Sequence, residues 1–79
     1  MIDLAERFVA DWIEDYVKKV PLRLDDPHLI ERLALRLEND AWDFGLDRRA
    51  YLDAVNGSSH ELVSFEVEKA VGRNFTAWA

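Results

Sequence analysis

The sequence predicts an all-α fold, a compact bundle of about four helices (long, long, short, medium) joined by short turns. Three observations carry this. Apolar residues recur at three- and four-residue steps over most of the chain. Helix-start and helix-stop residues fall between those periodic stretches. No segment alternates as a strand would, and no internal repeat or low-complexity run is present. A chain of 79 residues reads as one domain, 1–79, with 73–79 as an apolar C-terminal tail.

The first helix is expected over residues 3–20. Ile2, Ala5, Val9, Trp12, Ile13, Tyr16, Val17 and Val20 form its inner stripe, with Phe8 on the flank. Asp3 is the expected N-cap, with Glu6 three residues on. Glu14 with Lys18 and Asp15 with Lys19 stand in the favourable i,i+4 order. Pro21 stops the helix, since proline disfavours the α region for the residue before it. A short extended linker follows, with Leu22 and Leu24 tucked onto the core.

Asp26-Pro27 reads as the next start, with Asp as N-cap and Pro at the first helical position. This second helix should run to about Phe44 with Leu29, Ile30, Leu33, Ala34, Leu37, Ala41 and Phe44 inward. Gly45 stops it in the left-handed region, and Leu46 folds back. Asp47 caps a short third helix, 48–55, ended by Asn56-Gly57. Ser58 and Glu61 then read as a capping box for a fourth helix ending near Gly72.

Composition narrows the function. A chain this small has a limited core and usually leans on a staple, a partner or very good packing. It has no cysteine, so disulfides and thiolate metal sites are out. Sixteen acids against ten bases give a net charge of -6. The imbalance is spread: seven acids against four bases in residues 1–27, four against two in 28–46, five against four in 47–79. No part carries the basic footprint that phosphate binding needs, so nucleic acid and anionic membranes are not the expected partners. Residues 1–6 lack the pattern of a secretory signal, and no apolar run is long enough to span a bilayer. The expected compartment is the cytoplasm.

Catalytic and metal patterns fail on inspection. His60-Glu61-Leu62-Val63-Ser64 starts like a helical zinc motif, but the position that needs a second imidazole holds Ser64. Glu61 reads better as part of the capping box, and His60 as an inward first-turn residue. Ser58, Ser59 and Ser64 sit in no nucleophile turn. The glycines are isolated stops, not a phosphate loop, and Asp40, Asp43 and Asp47 lack calcium-loop alternation. Acyl carrier proteins share the size and charge, yet Gly57-Ser58-Ser59-His60 lacks their Asp-Ser-Leu signature. No enzymatic role, cofactor, metal or small-molecule substrate is therefore expected.

Four features remain as carriers of function. His28, Leu35 and Trp42 line up at seven-residue steps on the second helix, away from its core stripe. Either another helix of the chain covers this ridge, or it is a dimer seam or partner surface. Phe75 and Trp78 in the tail either close the bundle or anchor another chain. Glu66 falls within the apolar arc of the fourth helix and needs a partner, Arg48 or Arg49, or a subunit boundary. Ala41, Gly45 and Tyr51 have the rough spacing of a helix-turn-helix, which would make Arg48 and Arg49 DNA contacts.

The layout Phe8-x3-Trp12-Ile13, Asp26-Pro27, Asp40-Ala41-x3-Gly45-Leu46 and Gly57-x4-Leu62 resembles a family of short rhizobial (alphaproteobacterial) proteins known only as a domain of unknown function. The likeness covers about residues 8–71, leaving Pro21 and the Phe75/Trp78 tail outside the pattern. It implies a small α-helical cytoplasmic protein and brings no catalytic or binding residue with it. The expected function is a non-enzymatic protein-protein interaction module, self-associating or binding a larger protein. It would act through aromatic anchors, Trp42 first, then Trp12 and Trp78, inside an acidic rim. The alternatives are a helix-turn-helix DNA binder and an acidic inhibitor or nucleic-acid mimic.

Overall fold

The computed structural model describes residues 3–19 and 21–78, with side chains described as far as Gly72. The described residues contain helices and turns and no strand. Three helices of ten residues or more form the architecture: α1 (Leu4–Ile13), α2 (Leu29–Phe44) and α4 (Ser59–Trp78). A two-turn piece, α3 (Arg48–Ala54), joins α2 to α4. The expected bundle of about four helices is thus corrected to three, because seven residues between two tight turns are too few for a full bundle helix.

The apolar stripes account for the packing. Ala5, Val9, Trp12, Ile13 and Val17 of the first helix are buried, as are Ala34, Leu37 and Ala41 of α2. Tyr51 and Val55 plug the space above them from α3 and its C-cap, and Val63 and Val67 close it from α4. Leu37, Ala41, Tyr51 and Val63 reach complete burial. Side chains on the first helix, α2, α3 and α4 therefore share one core.

Several local expectations hold. Lys18 pairs with Glu14 at 3.7 Å and Lys19 with Asp15 at 3.8 Å. Gly45 adopts φ 96°, with Leu46 N–H donating to Ala41 O at 3.0 Å and Gly45 N–H to Trp42 O at 3.0 Å. This is a Schellman stop. Asp47 Oδ2 accepts from Ala50 N–H at 3.3 Å. Asn56 (φ 57°) and Gly57 (φ 89°) both take the left-handed region, closing the turn after α3.

Others are corrected. The first helix keeps α geometry only to Ile13 and then widens into a π-helical turn, Glu14–Lys18. Asp3 makes no side-chain cap. Asp26 Oδ1 accepts from His28 N–H at 2.9 Å, which makes 26–28 a turn of its own, so α2 starts at Leu29 and Pro27 stands outside it. Leu22 packs on the core, but Leu24 is 60% exposed. Phe44, expected inward, is 54% exposed at the helix end. Ser58 Oγ accepts from Glu61 N–H at 3.2 Å, giving the forward half of the capping box. The helix of α4 passes Gly72 and runs to Trp78, since a helical glycine weakens a helix without ending it.

Candidate functional site

The two sides of α2 present different surfaces. On the outer side, His28 is exposed beside Glu31, with Nδ1 3.5 Å from Oε2. Leu35 is 60% exposed and Trp42 42% exposed. Among the described residues the ridge is left largely open, and α3 touches it at Trp42. Trp42 is nevertheless held: its ring meets Tyr51 edge-on at 5.0 Å between centroids. A wet indole fixed at one edge by a buried tyrosine is a pre-ordered contact, with little rotamer freedom left to lose.

The other side of α2 faces α1 across a groove of about 600 Å³. Leu4, Phe8, Tyr16 and Phe44 supply its apolar surface. Phe8 and Phe44 meet at 4.9 Å between ring centroids, and Trp12 and Tyr16 at 4.8 Å. Asp11, Asp15, Asp40 and Asp43 line the same groove, against one cation, Arg7. Leu4 remains 61% exposed at one end. The π-helical turn supplies Asp15 and Tyr16 to this wall. Such turns are frequent at functional sites.

The groove is missing from the sequence expectations. Its signal was a second row on the first helix, Leu4, Phe8, Asp11 and Asp15 at four-, three- and four-residue steps. That row flanks the core stripe and reads as its fringe until the end of α2 is placed beside it.

Two polar links stitch the elements beneath these surfaces. Trp12 Nε1 donates to Asp40 Oδ2 at 2.8 Å. Trp12 is thus a core residue, 4% exposed, and not the partner anchor expected of it. Ser59 Oγ donates to Glu38 Oε1 at 2.9 Å and lies 2.5 Å from Tyr51 Oη. Glu38 as a carboxylate can only accept, so the serine proton points to it and the tyrosine proton must point to the serine. Burial of the phenol is the main cause that raises the Tyr51 pKa. The Ser59 bond opposes that rise, and the negative charge of Glu38 adds to it.

The remaining candidates are scattered. Arg48 and Arg49 are exposed at the start of α3. His60, expected inward, is exposed. Glu66 pairs with Lys69 on its own helix at 3.8 Å, not with Arg48 or Arg49, because those arginines point to solvent from α3. Its Oε2 is buried with no hydrogen-bond partner among the described residues. The side chains of Phe75 and Trp78 lie outside the described residues. Among the described residues, no group of three or more His, Asp or Glu side chains could hold a metal ion. No described helix is long and apolar enough to cross a membrane. No family model, curated protein or solved structure matches the chain.

Proposed function

We propose that the protein is a non-enzymatic interaction module that self-associates through the outer ridge of α2. The observation that carries this reading is the joint exposure of Leu35 and Trp42 on a helix whose opposite stripe is filled. The two residues stand seven positions apart, about 10 Å along the helix. An antiparallel approach of two α2 helices about a dyad midway between them sets Trp42 of each copy on Leu35 of the other. Such an interface is self-complementary, as two-fold symmetry requires. Aromatic anchors of this kind carry most of the energy in protein interfaces.

Sedimentation equilibrium on wild type, Leu35→Glu and Trp42→Glu tests the reading. The expected result is a wild-type dimer and two folded monomeric variants. A wild-type monomer at every concentration reached would remove self-association as the function of the ridge. Leu35→Glu matters most, because its side chain is the more exposed and its loss leaves the core intact.

A further inference from the structure

We infer that the groove between α1 and α2 is a second docking surface, and that its occupant is an arginine-bearing amphipathic helix of a basic partner protein. This does not rest on the ridge. Leu35 and Phe44 are nine residues apart on α2, about 180° around the helix, so the two surfaces face opposite ways.

Three observations select the occupant. First, the groove is apolar along its length and open, with Leu4 61% and Phe44 54% exposed at its walls. From Leu4 to Tyr16 the wall runs about 18 Å, which suits three to four turns of a partner helix. Apolar grooves of this shape take the apolar face of an amphipathic helix. Second, the charge on the lining is one-sided, four aspartates against Arg7. Asp15 is shared with Lys19 and Asp40 with Trp12 and Arg36. Asp11 and Asp43 have no ion pair among the described residues. A helix flanked by cations would supply what these two lack. Third, the chain already holds one guanidinium in the required way. The Arg36 guanidinium carbon lies 4.9 Å from the Tyr16 ring centroid, and its Nε lies 3.7 Å from Asp40 Oδ2. Aromatic face plus carboxylate is the pairing that suits arginine better than lysine, because the planar guanidinium stacks and forks while an ammonium does neither.

The test is fluorescence anisotropy with a labelled helical peptide of about 15 residues, leucines on one face and arginines on its flanks. Companion peptides replace every arginine by lysine or by glutamate. The arginine peptide should bind wild type and weaken as salt rises, the lysine peptide should bind less tightly, and the glutamate peptide should not bind. Asp11→Lys combined with Asp43→Lys should weaken the arginine peptide by about tenfold or more. Phe44→Ala should weaken it without changing the salt dependence. Leu35→Glu, which disables the ridge, should bind as wild type does, so failure of the ridge reading and failure of this one are told apart. Equal binding of all three peptides, or unchanged binding by the double aspartate variant with its helical circular dichroism intact, would overturn the proposal. So would a change of sedimentation mass caused by the groove variants alone, since the occupant would then be a second copy of the chain.

Discussion

The indole of Trp12 and the carboxylate of Asp40, 28 residues apart in the chain, are joined by a 2.8 Å hydrogen bond between α1 and α2. The bond fixes which way the tryptophan faces. It also places the carboxylate at the groove wall, where Arg36 reaches it from one turn earlier. Asp40→Ala should therefore cost about 2 kcal/mol, because it leaves a buried N–H without an acceptor. Asp40→Asn keeps an acceptor and should cost less than about 1 kcal/mol. Urea unfolding of the two variants checks the order. Equal losses would mean that the charge, not the acceptor, is what Trp12 requires.

Tyr51 makes stability fall at alkaline pH. Its folded pKa is raised above the ordinary 10.0, mainly by burial. The contribution is complete below that ordinary value and is lost as pH climbs from it through the folded pKa, because the unfolded chain gives up its proton first. The urea midpoint should drop above about pH 10, and Tyr51→Phe should flatten that drop. At neutral pH the same variant should cost about 1 kcal/mol for the lost link to Ser59. A variant as sensitive to alkali as wild type would assign the drop to another group.

Glu66 should be a stability liability. Among the described residues, one of its oxygens is buried without a partner and its ion pair to Lys69 is long at 3.8 Å. Glu66→Met keeps the length of the side chain and removes the buried oxygen. Thermal unfolding should show a gain of about 1 kcal/mol. A loss of similar size would show that the carboxylate has a favourable contact to give up.

Two glycines should respond to alanine with opposite signs. At Gly45 a Cβ would meet nothing within 4 Å, yet φ is 96°, so Gly45→Ala should cost about 1–2 kcal/mol through backbone strain alone. At Gly72, inside α4 and with equally open space, alanine should stabilise by about 0.5–1 kcal/mol. Chemical denaturation of both variants distinguishes these outcomes from a general effect of added bulk.

Much of the fold is legible in the sequence because it rests on local rules. The stripe Val9, Trp12, Ile13 and Val17 and the stops at Gly45 and Asn56-Gly57 obey spacing and backbone sterics, which act within a few residues. Errors occur where two local signals compete. At Asp26-Pro27 the side chain closes a turn on His28 before it can cap a helix. At Gly72 the glycine stands inside α4 and does not end it. The groove was illegible for a different reason. Phe8 and Phe44 belong to separate stripes, and only the crossing of α1 on α2 brings their rings to 4.9 Å. The ridge residues Leu35 and Trp42 were legible as a surplus, since one-sided burial leaves no use for them.

The π-helical turn over Glu14–Lys18 closes with Lys19 N–H donating to Glu14 O at 3.1 Å, five residues back instead of four. The first helix therefore contains one residue more than a regular helix would need to cover the same rise. That surplus is a slack position in the coding sense: removing a single residue from 14–18 would leave an unbroken α-helix, while the same removal from 5–12 would rotate the core stripe by about 100° and tear it from its partners. A length variant of this chain one residue shorter in that turn should still fold, with Tyr16 and Asp15 swung away from the groove.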